Sequence, residues 1–405
     1  MHMRDMYRKE SPVEVSESND YVEKFRGEFD KATVYASSLK RRSTGSSNYP
    51  YAVTRIRAMK VKLIPRDSYP RLLNMSLDEF IFNISETDYR SDIEELSREY
   101  SGANLIEHAL NRNMATSFQK VLRITEGDPH GLVQEYLKKY DIWNIKTILR
   151  GKLHNISPAD IREALITAGS LRYTLLSSLS EKSLDEILKE FKETEYAPIL
   201  DSFDGSNLPE IENKLDKFYY TNLFSVIGYP FTSDRKLFNR FVQREIDGRN
   251  LNLLIRLKKA ESFISEEKLA EKAEKSESES QISDINDLLI ENGFEFNINV
   301  LQDLYKSSYE QFVEVLKSSS YWNVLRNLVE NKDFSTIDLT DIENALLQFN
   351  LKEVTSESLQ SIVSIVPIME YLIYKSNEVR NLRIIARGKS VGMSNELIKE
   401  QLVII

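Results

Sequence analysis

Apolar residues recur at i, i+3, i+4 and i+7 along most of the chain, the stripe of an amphipathic helix. The stripe is sharpest behind three Ser-led openings, Ser76-Leu-Asp-Glu79, Ser183-Leu-Asp-Glu186 and Ser308-Tyr-Glu-Gln311. Each reads as a capping box, in which the Ser and the acid or amide three residues on satisfy orphan N–H groups at a helix start. Behind the boxes stand Leu77, Phe80, Ile81 and Ile84, then Leu184, Ile187, Leu188 and Phe191, then Tyr309, Phe312, Val313 and Leu316. Thr87 and Tyr89, Thr194 and Tyr196, and Ser319 and Tyr321 close the copies in register.

A second pattern repeats in the same order: acid, two residues, Asn, an aliphatic four residues after the Asn, then Arg-x-Lys. It occurs as Asp141 to Lys152, Asp247 to Lys258 and Glu378 to Lys389, around Asn144, Asn250 and Asn381. At about 100° per residue, each Asn lies on or beside the apolar face of its helix, while the Arg six residues on lies about 240° round. A buried amide left unpaired costs about 1–3 kcal/mol, so each Asn is expected to tie its helix to a neighbour within its own repeat. Arg150, Arg256 and Arg387 point elsewhere and are candidates for partner contacts or surface ion pairs.

These two patterns divide the chain into an extension over residues 1–47, repeats over 48–156, 157–260 and 290–405, and a Glu/Lys/Ser-rich linker or exposed helix over 261–289. The extension is expected to be mobile, with one helix where Tyr21, Phe25 and Phe29 recur every four residues. Repeat one holds a periodic segment from Tyr51 to Leu63 and another from Leu105 to Leu122. Gly127-Asp-Pro-His-Gly131 is expected to be a turn and Pro367 to kink or start a helix. No stretch alternates as a strand would. The expected class is all-α.

Composition strengthens that reading. Only 13 Gly and 10 Pro occur in 405 residues, too few to interrupt helices often. The absence of cysteine excludes disulfides, thiolate nucleophiles and Cys-ligated zinc. A net charge of −9 argues against a general nucleic-acid binder. The start, Met1 to Asp20, lacks the apolar core of a signal peptide, and Ile362 to Tyr374 is too short to span a bilayer. Arg387-Gly-Lys389-Ser390 looks like the tail of a phosphate loop. However, the required earlier Gly position is Arg383, inside an expected helix, and Arg150-Gly-Lys152 is a second copy. His2, His108, His130 and His154 lack metal-ligand spacing. No catalytic residue, cofactor site or metal site is expected.

The repeats, with Arg55-Ile-Arg-Ala-Met-Lys-Val-Lys-Leu63, Glu107-His-Ala-Leu-Asn-Arg-Asn113 and Trp143-Asn-Ile-Lys-Thr-Ile-Leu-Arg-Gly151, resemble a known family over residues 50–405. It is the central-stalk connector family of archaeal-type and vacuolar-type rotary ATPases. The resemblance implies three similar helical domains in a pseudo-threefold funnel, with no active site. It also implies a single copy on the cytoplasmic face of the membrane, peripheral, bound to rotor-ring proteolipid subunits and central shaft subunits. The work implied is torque transmission for ATP synthesis or hydrolysis coupled to proton or sodium transport. A generic helical repeat scaffold is the competing reading, though solenoid units of 20–45 residues are far shorter than these.

Overall fold

All three capping boxes form, and each opens the helix the pattern places there. The computed structural model describes residues 46–228, 231–268, 285–330 and 332–405, among which there is no strand. The class is all-α. The helix expected around Tyr21, Phe25 and Phe29 lies outside the described residues.

After α1 (Tyr49–Lys60) and a 3-10 turn (Arg66–Ser68) come the short helices α2 (Tyr69–Asn74), α3 (Leu77–Ser85) and α4 (Arg90–Leu96), then the long α5 (Gly102–Ile124). α6 (Asp128–Leu137) and α7 (Lys139–Leu153) follow almost without a break and carry Asn144. The order recurs as α8 (Pro158–Glu163), α9 (Tyr173–Glu181), α10 (Leu184–Glu190), α11 (Ala197–Leu200), the long α12 (Leu208–Ile227), and α13 (Ser233–Lys268) with Asn250. It recurs again as α14 (Ile285–Leu288), α15 (Ile298–Lys306), α16 (Tyr309–Lys317), α17 (Trp322–Val329), the long α18 (Leu339–Gln360), and α19 (Val366–Ser390) with Asn381. α20 (Asn395–Glu400) comes last.

Three local expectations need correction or refinement. Only Gly127 turns, at φ 68°, and the helix begins at once at Asp128 with Pro129 in its first turn, where its missing N–H costs nothing. The charged stretch from 261 is helical as far as Lys268. Pro367 starts α19 rather than kinking it.

The stripes are buried as their spacing requires. Phe80 and Ile84 on α3, Ile187 on α10, and Phe312 and Leu316 on α16 are all within 1 % of complete burial. Each such side chain stabilises the fold by ~1.5–3 kcal/mol. Tyr89, Tyr196 and Tyr321 are buried at the same station of the three copies.

The larger correction concerns which helices pack together. Asn144 and Asn250 tie their helices to the stretch of chain that opens the next repeat, whereas Asn381 bonds to Val403 inside its own repeat, as expected. Asn144 on α7 bonds to Ile166 and Asn250 on α13 to Ile290. α19, at the end of the chain, folds back onto the beginning, packing along α5 and α1. One packing unit is therefore α19 and α20 with α1–α5, the second is α6–α12, and the third is α13–α18.

The three core helices (α6/α7, α13 and α19) also meet one another, at positions equivalent in the repeat. At their N-termini Arg235 pairs with Asp128 at 2.6 Å, and the Asp234 carboxylate accepts the Ile365 N–H at 2.8 Å. About three turns on, the Tyr136 hydroxyl donates to Glu245 at 3.0 Å, and the Tyr140 and Ser376 hydroxyls are 3.1 Å apart. Among the described residues, every hydrogen bond or ion pair joining core helices falls in their N-terminal halves. Past those points the core helices bond to surrounding helices instead, and some of these bonds cross between units, as Arg380 of α19 does with Asn344 of α18.

Candidate functional site

The repeated motif is the natural place to look, and each of its residues has a traceable task. Asn144 donates to the Ile166 carbonyl and accepts the Ile166 N–H, both at 2.8 Å. Asn250 does the same with Ile290 at 2.7 and 3.0 Å, and Asn381 with Val403 at 2.8 and 3.1 Å. All three amides are buried and satisfied, as the helical geometry requires.

The acid three residues earlier gathers the next stretch of chain. Asp141 accepts the N–H groups of Ser170 and Leu171 at 2.8 and 2.9 Å. Asp247 accepts those of Glu295 and Phe296 and the Tyr321 hydroxyl. Glu378 accepts the Ile64 N–H and the Tyr89 hydroxyl. Burial pushes the Asp141 carboxyl up, opposed by the Ser170 and Leu171 donors. For Asp247 burial dominates more strongly and the value is pushed up to about 6. The chain must also come close: a Cβ on Gly169 or Gly293 would stand 2.2 Å from the Asp141 or Asp247 carboxylate.

The Lys at the end of the motif caps a short helix. Lys152 donates to the Ser180 carbonyl at the end of α9, Lys258 to Ser307 at the end of α15, and Lys389 to Leu73 and Met75 at the end of α2. A cation there satisfies orphan carbonyls and complements the helix dipole. The Gly of Arg-Gly-Lys serves packing. A Cβ on Gly151 would fall 2.5 Å from Ile161 of α8, and one on Gly388 equally close to Ile398 of α20. Gly388 lies inside the continuous α19, so the resemblance to a phosphate loop has no structural counterpart.

The three arginines are each displayed on their own core helix, and no bond joins them. Arg150 forms a forked pair with Glu212 of α12, at 2.5 and 2.6 Å. Arg387 forks onto Glu107 of α5, its Nη2 at 2.6 Å. Arg256 is exposed and has no ion pair among the described residues. Glu343, which stands in α18 where Glu107 and Glu212 stand in their helices, is also exposed.

A basic residue three before each acid escaped the sequence reading. Lys375 is fully buried between Glu378 and the Tyr89 hydroxyl, each at 2.8 Å. Lys138 bridges Glu135 and Glu195, and Arg244 bridges Glu353 and Glu357. The signal was there, in Lys138, Arg244 and Lys375 standing at the same offset.

Where the core helices meet lies a second polar cluster. The Glu245 carboxylate accepts the hydroxyls of Tyr136 and Tyr220 at 3.0 Å, and Lys139 donates to Tyr136 at 2.6 Å. Burial alone would raise Glu245, but the charges of Lys139 and Arg249 and the two phenols hold it below the usual carboxylate range. Arg249, beside this cluster, keeps 45 % of its side-chain surface exposed.

Nothing in these arrangements resembles a reaction centre. No group of His, Asp or Glu among the described residues could hold a metal, and no described helix is long and apolar enough to cross a membrane. His130 caps the end of α5, its Nδ1 2.9 Å from the Leu122 carbonyl, and His108 stacks on Tyr100 beside Glu163.

Comparison with known proteins adds to this. The model of the ATP synthase (C/AC39) subunit family matches residues 52–401. The C subunit of the A-type ATP synthase from Methanosarcina acetivorans is 49 % identical, across 90 % of this chain and 95 % of the relative. The corresponding C subunit from Methanococcoides burtonii is 45 % identical over 91 % and 97 %, and that from Archaeoglobus fulgidus 31 % over 88 % and 96 %.

Proposed function

Because the chain belongs to the ATP synthase (C/AC39) subunit family, we propose that it is the non-catalytic connector of a rotary A/V-type ATP synthase. In this reading it joins the central shaft to the membrane rotor ring, as one peripheral copy on the cytoplasmic face. It transmits torque for ion transport coupled to ATP synthesis or hydrolysis. The three repeats form a pseudo-threefold funnel, closed where the core helices meet and open where they part. The shaft sits in the open end.

The observation that carries this reading is the meeting of repeat-equivalent positions on three helices. Asp128, Asp234 and Ile365 come together at the helix starts through Arg235 and the Ile365 N–H, and further along Tyr136 and Tyr140 of α6/α7 reach Glu245 of α13 and Ser376 of α19. Three copies joined about one axis can seat a shaft, and helices bear load along their hydrogen-bonded axes. The motif residues support a mechanical role, since Asn, acid, Lys and Gly are all spent on holding units together.

Arg150, Arg256 and Arg387 remain the proposed interface positions, with Arg256 foremost because it is exposed and has no ion pair among the described residues. Arg256→Glu is expected to weaken assembly while leaving the isolated protein folded.

The test of the whole reading is affinity isolation from detergent-solubilised membranes, with companions identified by mass. Recovery with ring proteolipids and shaft subunits is expected. Recovery from the soluble fraction alone, without ATPase subunits, would sink it and leave the scaffold reading in front.

A further inference from the structure

The described residues bury two hydrophobic cores, and two helices run from one to the other. α13 crosses between Ile246 and Leu251, and α18 between Phe349 and Val354. The crossings face each other, since a Cβ added to Gly248 would lie 3.8 Å from Asn350 Nδ2 and 4.0 Å from Leu346 Cβ. On the side of the larger core, Arg240 and Arg244 of α13 clamp Glu353 and Glu357 of α18. On the other side Leu251, Leu254 and Ile255 join Ile342, Leu346 and Phe349 in the smaller core. The layer between is where the third unit is attached.

The repeat shows what this layer lacks. Where Gly248 stands, the other two core helices carry Ile142 and Val379, both buried. Where Asn350 stands, the other two long helices carry the buried Tyr219 and Met114. Two turns of interhelical bonding are also missing. Lys146 of α7 pairs with Asp216 of α12 at 2.5 Å, and Arg383 of α19 donates to Asn111 of α5 at 2.5 Å. The equivalent residues of the third unit are Asn252 and Leu347, which make no such bond, and Arg256 lacks the forked pair of Arg150 and Arg387. The Oδ1 atoms of Asn252 and Asn350 are buried without a hydrogen-bond partner. A close-packed interior resists deformation, whereas a layer with a side chain missing and polar atoms unsatisfied does not.

We propose that Gly248 and Asn350 form a hinge on which the third unit tilts as a body against the other two. The helices α14–α17 and the adjoining halves of α13 and α18 share a core and so move together. A few residues suffice to absorb such a rotation, and a glycine within a helix is the natural one. The buried ties of Asp247 to Phe296 and of Asn250 to Ile290 attach one and two residues from Gly248, close to the pivot, where a rotation displaces them least. Further out the boundary is crossed by polar bonds between half-buried groups, Arg380 to Asn344 and Lys217 to the Asn286 carbonyl, which water can replace. The first and second units share a core and have no such layer. The hinge belongs to the chain itself, whatever it assembles with, and gives the molecule one wall, carrying Arg256, that swings without unfolding.

The full chain contains no cysteine, so spin labels can be introduced in chosen pairs. Phe82, Lys189 and Glu314 are exposed and stand at equivalent positions of α3, α10 and α16, one in each unit. Double electron–electron resonance is measured on the three pairwise combinations of Phe82→Cys, Lys189→Cys and Glu314→Cys. The two distance distributions that involve position 314 are expected to be about twofold broader than the one between 82 and 189. Two backgrounds then stiffen the layer. Gly248→Ala adds the missing Cβ, and Asn252→Lys/Leu347→Asp transplants the Lys146–Asp216 pair. Circular dichroism confirms that each folds. Both are expected to narrow the distributions from position 314 and to leave the 82–189 distribution as it was. Equal widths for all three pairs in the otherwise wild-type chain would overturn the hinge. Distributions from position 314 that stay broad in both backgrounds would also overturn it, because the motion would then arise outside this layer.

Discussion

At the scale of single residues, the fold turns on three amides. Each Asn satisfies both the N–H and the C=O of one residue in the segment its helix must hold. Removing the side chain leaves two buried backbone groups unpaired, at about 1–3 kcal/mol each. We predict that Asn144→Ala, Asn250→Ala and Asn381→Ala each lower the free energy of urea unfolding by about 2–4 kcal/mol. Arg150→Ala, at an exposed pair, should cost no more than about 1 kcal/mol. Asp247 supplies a second, pH-dependent prediction. Its folded value of about 6 lies above its ordinary one, so the folded chain holds a proton that the unfolded chain has released. Stability from this group therefore falls as pH rises from about 4 to about 6, by up to ~1.4 kcal/mol per pH unit. Urea unfolding across that range should show a shallower decline in Asp247→Asn; an unchanged slope would refute the assignment. The Asn positions were legible because helical periodicity fixes a face. The pairing of Arg150 with Glu212 was not, because periodicity places a residue on a face without naming what covers it.

At the scale of elements, close approach explains where glycine is used. Ala is normally preferred to Gly inside a helix by about 1 kcal/mol. At Gly248 the nearest atoms to an added Cβ lie 3.8 and 4.0 Å away, so Gly248→Ala should be neutral or raise the melting temperature slightly. At Gly151 and Gly388 the added Cβ meets Ile161 or Ile398 at 2.5 Å, and its clash with Cγ1 is not relieved by moving the chain end alone. Gly151→Ala and Gly388→Ala should therefore lower stability by about 1–3 kcal/mol, the usual range for overpacking. Calorimetric melting of the three variants checks this; a stabilised Gly151→Ala would show that α8 can shift without cost. Capping boxes and apolar stripes were enough to place α3, α10 and α16, because those signals act within one turn. Which Asn helix holds which short helices was not available locally. Chain adjacency favours either neighbour, and the choice is made by the Ile166, Ile290 and Val403 backbone groups, whose side chains carry no mark of it.

At the scale of the whole molecule, the three packing units differ in how they are closed. In the second and third, a few residues of continuous chain run from the Asn partner to the acid partner, Ile166 to Ser170 and Ile290 to Glu295. In the first, Val403 belongs to the end of the chain and Ile64 to its beginning, and a cavity of about 300 Å3 lies between them, lined by Lys60, Ile64, Tyr374, Asn377 and Ile405 among others. That unit is held shut by side-chain bonds to the backbone of the last residues, Asn377 and Asn381 each donating to the Val403 carbonyl at 2.8 Å and Arg380 to that of Gln401 at 3.3 Å, and by burial of the Val403 side chain. Deleting Val403–Ile405 should therefore cost about 2–5 kcal/mol. The loss should also be local. Most buried side chains from Leu251 to Phe349 form a cluster of their own, separate from the one that joins the other two units and takes in Phe238 to Ile246, Ile290 and Val354 of the third. Hydrogen exchange on the truncated chain should then show α1, α2 and α19 losing protection while α15–α17 keep theirs. Uniform loss across all three units would mean that the molecule unfolds as one body and that the seam is not its weak point. Retained protection in α19 would mean that its packing along α5 closes the first unit without help from the chain end.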